Sequence, residues 1–358
     1  MSKRITIYDI ARELGVSTAT VNRAMNNKPG VSEKTRQKVQ ETAKSMGFTV
    51  NQIAKSLARP PIRLEFLICN PSSDISFFQD EICAGVQFEA ERLKDYNVSC
   101  IVQRFAGDPF AAQKDYIERL RTLIAEPKPD GILMIPTFQT NELYGCIRQL
   151  REAEIQVGLI SNDLPGSNRL FACHQNAALA GRIAAELLCK MTSGGKVAAF
   201  SGHANIQDHY DSIDGFQNEC RRRNMELIAV CESHDDPDFA AYNFEKLYAR
   251  HPEIEGIYIN SANSISICKK MKESGLAGRI RVITSDVFDE LTPFIRENVV
   301  QATIFQDPFR QGRTAMKYLY RAVSEGVIPP SDILIRPQIV VQSNLDEFLY
   351  DKRGEVDS

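Results

Sequence analysis

The run Val16-Ser17-Thr18-Ala19-Thr20-Val21-Asn22-Arg23-Ala24-Met25-Asn26 gathers short hydrogen-bonding side chains and one guanidinium at helical spacing. Ser17 suits an N-cap, because its hydroxyl can accept from an orphan amide of the first turn. Val21 and Met25, four apart, face inward, while Thr18, Ala19, Asn22 and Arg23 turn to solvent. A small, uncharged front with one Arg permits close approach to base edges in a DNA major groove, so the chemistry offered is recognition rather than bond making. Elsewhere there is no phosphate-binding glycine loop after a strand, no nucleophile with a placed base and no metal triad. Gly194-Gly195-Lys196 reads as a turn into a strand. No enzyme activity, cofactor or metal is expected.

So short a helix is marginal alone and must be held by neighbours. Thr6-Ile7-Tyr8-Asp9 fits a capping box, and Ile7, Ile10, Ala11 and Leu14 give a first helix one apolar face. Gly15 permits a left-handed stop, and the second helix begins at once, as in a helix-turn-helix. Ser32 caps a third helix through Met46, with Val39, Ala43 and Met46 inward and Gly47 ending it. Residues 1–50 thus read as an all-α, three-helix DNA-binding head. Residues 51–61, closed by Pro60-Pro61, bury too little for an independent helix. They read either as a linker or as a hinge helix that forms on DNA, with Leu57 wedged into a minor-groove base step.

Charge supports this division. Residues 1–61 carry eleven Lys or Arg against four Asp or Glu, so a head of net +7 sits on a remainder of −10. A polyanion would then contact the head alone. No apolar run reaches the roughly 18–20 residues of a membrane span, and the polar start lacks a signal core, so a cytoplasmic protein with no membrane partner is expected. Cys69, Cys83, Cys100, Cys146, Cys173, Cys189, Cys220, Cys231 and Cys268 show no CxxC spacing, which predicts reduced thiols rather than disulfides or zinc.

The motifs Ile7-Tyr8-Asp9-Ile10-Ala11, Gly15 through Arg23, Val31-Ser32-Glu33-Lys34-Thr35-Arg36 and Asn51-Gln52-Ile53-Ala54-Lys55-Ser56-Leu57-Ala58 resemble those of the LacI/GalR family of bacterial transcriptional regulators. The resemblance covers the whole head and hinge. It implies that Thr18, Ala19 and Arg23 read bases, Arg23 through a bidentate contact to guanine. Asn22 joins this set but departs from the family's usual Ser, so a neighbouring contact can differ. By the same resemblance Tyr8, Ser17, Thr20, Asn26 and Ser32 hold phosphates and set register. Thr6 and Asn51 are placed with them, and Asn51 and Leu57 match hinge positions.

From Ile62 short apolar strands alternate with helices. Strands are expected at 64–69, 98–102, 131–135 and 157–160, with helices at 79–94, 110–125 and 140–153. After Asp163-Leu164-Pro165-Gly166 the pattern restarts, with strands at 196–200, 227–231, 256–259 and 281–284. Such alternation means parallel βαβ units, and two α/β doubly wound lobes enclose a cleft at their strand ends. This body, 62–348, resembles the type I periplasmic-binding-protein fold that the family uses for effector binding and dimerisation. The resemblance implies lobe 1 over about 62–162 and 291–324, lobe 2 over about 163–290 and 325–348, and a tail at 349–358.

By position, Phe77 and Phe78, Asn162 and Asp163, Asp286 and Gln306 match the pattern of ribose- and galactose-type binding proteins. Aromatic faces cover sugar ring carbons, while carboxylates and amides take hydroxyls. Phe77 and Phe78 could equally be core, and Asp286 could cap a following helix near Glu290. The family's effector-gripping Arg before Gly215-Phe216 is absent. His209-Tyr210-Asp211-Ser212 stands there, and Asn260-Ser261-Ala262-Asn263 replaces an Asn-Asp pair. Without that Arg an anionic effector loses its fitting partner. A neutral sugar or polyol is expected, with His209, Tyr210 and Asn263 as replacement contacts.

The expected function is therefore a sequence-specific repressor of carbohydrate-related genes, binding a pseudo-palindromic double-stranded DNA operator as a homodimer under control of a small effector. A transport solute-binding protein, or a regulator answering to a non-sugar metabolite, are the alternatives. The tail has no leucine heptads for a tetramerising bundle.

Overall fold

The computed structural model describes residues 5–25, 27–48, 56, 59–70, 77–106, 109–125, 127–136, 139–193, 195–261 and 263–350. Asn26, Asn51 and Leu57 lie outside the described residues, as do most of the expected hinge at 51–61 and the tail beyond 350. The chain divides into a head and a body near Ile62.

In the head, α1 (Ile7–Leu14), α2 (Thr18–Met25) and α3 (Glu33–Ser45) close around Ile10, Ala11, Val21, Ala24, Val39 and Ala43. The capping box forms: the Thr6 hydroxyl accepts from the Asp9 amide, and the Asp9 carboxylate accepts from the Thr6 amide at 2.9 Å. Gly15 ends α1 at φ 64°, a backbone region that favours glycine. Ala24 is the second fully buried residue of α2, while Met25 packs half-buried at the core's edge.

The body holds two six-stranded sheets. Lobe 1 contains β1 (Ile62–Asn70), β2 (Val98–Ala106), β3 (Gly131–Met134), β4 (Gln156–Ile160), β5 (Phe171–Gln175) and β11 (Asp332–Ile335), ordered β11-β5-β4-β3-β1-β2. Lobe 2 contains β6 (Lys196–Ser201), β7 (Glu226–Glu232), β8 (Gly256–Ile259), β9 (Arg281–Ser285), β10 (Ala302–Phe305) and β12 (Gln338–Val340), ordered β12-β10-β9-β8-β6-β7. All neighbours pair parallel except β10 with β12. Helices α4 (Phe77–Leu93), α5 (Pro109–Thr122), α6 (Asn141–Glu152) and α12 (Pro308–Glu325) belong to lobe 1. Lobe 2 carries α7 (Ala177–Met191), α8 (Gln207–Arg222), α9 (Pro237–Arg250), α10 (Ser264–Glu273), α11 (Thr292–Arg296) and α13 (Leu345–Tyr350).

The expected lobe limits need correction. Phe171–Gln175 pairs beside β4 in lobe 1, so the first crossing falls at Asn176 rather than near 163. Strand β10 pairs with β9, so the chain leaves lobe 2 after Phe305 rather than near 291. Strand β11 then pairs with β5 and β12 with β10, placing the last crossing at 336–337 rather than near 325. Strand pairing sets these limits, because each crossing segment satisfies its backbone groups by extending a sheet. The expected tail also begins late: Leu349 and Tyr350 belong to α13, and Leu349 packs on the lobe 2 core.

Each lobe is braced by one close helix pair. A Cβ on Gly85 of α4 would lie 2.0 Å from the Phe309 carbonyl oxygen, and one on Gly312 of α12 would lie 2.1 Å from that of Ile82. In lobe 2, Gly181 of α7 approaches the Ser212 carbonyl at 1.8 Å and Gly215 of α8 that of Ala178 at 2.1 Å, on the same measure. No helix among the described residues is long and apolar enough to cross a membrane. The nine cysteines are free thiols, and burial pushes those of Cys69, Cys173 and Cys268 up to about 12.

Candidate functional site

Two surfaces could bind ligands, one in each unit. In the head, the Ser17 hydroxyl accepts from the Thr20 amide at 3.0 Å and lies 2.9 Å from the Thr20 hydroxyl. Ser32 caps α3 in the same manner, accepting from the Thr35 amide at 3.2 Å. Thr6, Ser17 and Ser32 thus each sit at a helix N-terminus, where amides and helix dipole favour an anion. Ala19, Asn22 and Arg23 are exposed on α2, Thr18 and Thr20 are half-buried, and Tyr8 on α1 is 72% exposed. The loop into α3 is pinned by Arg36, which the sequence placed in a motif without a role. Arg36 donates to Asn27 Oδ1 at 3.2 Å and to the Lys28 carbonyl at 3.1 Å, holding Asn27 at φ 51°.

In the body, a cavity of about 180 Å³ lies between the carboxyl ends of the two sheets, where doubly wound sheets bind ligands. Phe77, Phe78 and Gln79 enter it from the start of α4, and Ser161, Asn162 and Gln175 from the ends of β4 and β5. Lobe 2 contributes Asp208, His209 and Ser212 from α8, Asp235 from the turn after β7, and Asn260 and Ser261 after β8. Asp286 and Gln306 complete the wall.

Asp286 adopts φ 68° just beyond β9, and its carbonyl accepts from the Thr303 hydroxyl at 2.6 Å. Its carboxylate accepts from the Gln306 backbone amide at 3.2 Å and side chain at 2.7 Å. The pair is therefore preset, and Asp286 does not cap α11, which starts only at Thr292 and has no side-chain cap. Phe77 stacks on Phe288 of the other lobe at 4.2 Å, which leaves Phe78 as the freer aromatic face.

Five polar atoms on the wall have no hydrogen-bond partner among the described residues: Gln79 Oε1, Gln175 Nε2, Asp208 Oδ1, Asn260 Oδ1 and Ser261 Oγ. Gln175, Asn260 and Ser261 are 4–6% exposed, so water does not compensate them in bulk. Opposite them, His174 Nδ1 on β5 lies 3.3 Å from Asp208 Oδ1 on α8, an ion pair across the cleft without aligned hydrogen-bond geometry. Burial alone would lower the imidazole's pKa, but the Asp208, Asp163 and Asp332 carboxylates outweigh it and raise it. Asp208 is also raised, by burial working against its His174 partner.

Residues 6–51 match the family model described as bacterial regulatory proteins, lacI family, and residues 66–326 match a periplasmic binding protein domain. The chain belongs to the lacI family of bacterial regulators. The HTH-type transcriptional repressor PurR of Vibrio vulnificus is 24% identical to this lacI-family chain over 349 residues, covering 96% of this chain and 99% of that protein. Two solved structures share the body's fold. A glucose-galactose binding protein from Geobacillus stearothermophilus superposes with TM-score 0.71 at 20% identity, covering 80% of this chain and 99% of that one. A LacI transcriptional regulator from Bacteroides fragilis, described there as putative, gives 0.68 at 17%, covering 81% and 99%.

Within this lacI-family body the cavity brings together six expected residues: Phe77, Phe78, Asn162, His209, Asp286 and Gln306. Three others stand elsewhere. Asp163 is buried in a clamp with Arg169, whose guanidinium also reaches Asp332 at 2.8 Å. Tyr210 is 59% exposed, because 100° per helical residue turns it away from the face that carries Asp208 and Ser212. Asn263 is 2% exposed and donates to the Ser233 hydroxyl at 2.8 Å, supporting a turn rather than facing the cavity. Gln79, Asp208 and Gln175 line the cavity without being legible in the sequence as site residues. Gln175 could have been found only by recognising β5, whose five residues include His174.

Proposed function

We propose that this lacI-family transcriptional regulator is a dimeric repressor whose effector is a neutral, polyhydroxylated molecule of about monosaccharide size. The observation that carries this is the wall set of Gln79, Gln175, Asn260 and Ser261, whose unpartnered atoms mix donor and acceptors within reach of the Asp286–Gln306 pair. Adjacent hydroxyls donate and accept at once and meet such a set. Among the described residues no Lys or Arg lines the cavity, while Asp208, Asp235 and Asp286 do, which disfavours an anion. The volume is below the roughly 300–1,000 Å³ typical of drug-sized sites, which favours a compact ligand. The glucose-galactose binding protein shares the fold, and that likeness is compatible with a sugar without naming one.

In the head, Arg23, Thr18, Ala19 and Asn22 face base edges in this reading, and Thr6, Tyr8, Ser17, Thr20 and Ser32 face phosphates. Asn26 and Asn51 would add phosphate contacts, and Leu57 the minor-groove wedge. One head buries little surface, and a two-fold pair of heads reads a pseudo-palindrome. Effector and operator are then coupled reciprocally through the lobes. A thermal-shift screen of the full chain with neutral sugars and polyols tests the effector class, because a ligand of the native state raises the melting temperature by mass action. A rise with a neutral polyol, lost in Gln175→Ala, supports the reading. A response only to anionic or cationic metabolites overturns it.

A further inference from the structure

Strands β6 and β7 are parallel neighbours, with Ser201 opposite Glu232, so the loops leaving them emerge side by side at the cleft edge of lobe 2. His203 on the first loop, Glu232 at the end of β7 and His234 on the second loop bring one ligand atom each within 4.8 Å of one another. His234 Nδ1 already lies 3.3 Å from Glu232 Oε1, and the two imidazole centroids are 5.3 Å apart. The scaffold beneath them is fixed. The Ser233 amide and hydroxyl donate to the Ser201 carbonyl at 2.8 and 2.7 Å, and Asn263 donates to the Ser233 hydroxyl at 2.8 Å. His234 and Asp235 then both hold left-handed backbone, at φ 52° and 55°, a pairing uncommon for non-glycine residues. On the other loop, the Ala204 amide donates to Glu232 Oε1 at 2.7 Å and orients that carboxylate.

We propose that His203, Glu232 and His234 bind a zinc ion that ties the two loops together. Two imidazoles and one carboxylate form a borderline donor set suited to Zn²⁺, whereas Mg²⁺ and Ca²⁺ seek oxygen ligands. With metal–ligand distances of about 2.0–2.2 Å, tetrahedral ligands stand roughly 3.3–3.5 Å apart. The Glu232–His234 pair has that separation, and His203 closes the remainder by side-chain rotation from a half-buried position. A solvent water fills the fourth position. The metal would fix the turn that carries Asp235 into the effector cavity, so zinc occupancy and effector affinity become linked. The histidines stand 31 residues apart in no ligand motif, and only strand pairing unites them, so the sequence alone shows no metal site.

The test uses the full chain, stripped with chelator and titrated with zinc alone against a chromogenic indicator, alongside His203→Ala and His234→Ala. One equivalent per chain, with affinity falling at least tenfold in each variant at unchanged melting temperature of the metal-free protein, is the expected result. Equal binding by both variants overturns the proposal. Cobalt substitution guards against capture by the nine thiols: a tetrahedral visible spectrum without a thiolate-to-cobalt band supports the site, and an intense thiolate band overturns it.

Discussion

At the scale of single residues, the head's specificity rests on Arg23 in the proposed reading. Its guanidinium is the one planar, fully charged fork on the exposed face of α2, so Arg23→Ala should cost roughly 1–3 kcal/mol per half-site and relax preference at one guanine. Arg23→Lys should not restore it, since an ammonium cannot bind both guanine acceptors in a plane. Binding to a randomised operator library measures both, and an unchanged base preference in Arg23→Ala would remove the assignment. In the cleft, Asp286→Asn keeps the shape but withdraws the charge that Gln306 helps to hold. A hydrogen bond to a charged group contributes about 1.5–3 kcal/mol, so affinity for the proposed effector should fall about 10- to 150-fold by calorimetry. The cavity position of Asp286 was legible through its match to the binding-protein pattern at a strand end. Asp163 has the same chemistry and failed, because Arg169 six residues on consumes it, a pairing that linear spacing does not reveal.

Among elements, the glycine-mediated crossings make the sharpest claim. Gly85 and Gly312 let α4 and α12 meet backbone to backbone, and a methyl group there would meet a carbonyl oxygen at 2.0–2.1 Å, far inside van der Waals contact. Gly312→Ala should therefore destabilise the body by about 1–3 kcal/mol through overpacking, visible as a lower urea midpoint, whereas Gly145→Ala meets no atom within 4 Å and should not. Equal midpoints for the two variants would refute this account of helix pairing. The long elements were readable: α4, α6 and the first strands of each lobe carry enough periodic apolar residues to declare themselves. Strands β5, β10, β11 and β12 span only three to five residues, and β11 alternates buried with exposed side chains over just four. Strands β3 and β8 are equally short but buried and apolar throughout, whereas β5 ends in His174-Gln175, β10 carries Thr303 and β12 begins with an exposed Gln338. The unread strands are those that carry the chain between lobes.

For the whole molecule, contacts that span the two lobes would bias any opening or closure of the cleft, those at its mouth among them. Phe77 stacks on Phe288, Gln139 donates to Gln207 at 3.2 Å, and His174 pairs with Asp208. The third is titratable. Asp208, Asp163 and Asp332 face His174, Arg169 neutralises part of that charge by binding both Asp163 and Asp332, and His209 and Asp211 stand near Asp208. A raised imidazole pKa means the folded body holds a proton more tightly than the unfolded chain does. Its stabilisation is complete below the ordinary value of 6.5 and is lost as pH rises through the raised one. Asp208 is raised as well, so its contribution also falls with rising pH, beginning from the lower carboxylate value of 3.8. The two signs agree, and the window above 6.5 belongs to His174. There, one proton can change stability by at most about 1.4 kcal/mol per pH unit. The melting temperature of the full chain should accordingly decline as pH rises from 6.5, and His174→Gln should flatten that slope while leaving the Phe77–Phe288 stack intact. Because the pair spans the cleft, the same titration should weaken effector binding at high pH in the wild-type protein and not in the variant. Parallel slopes for the two proteins would show that the interlobe pair does not control closure.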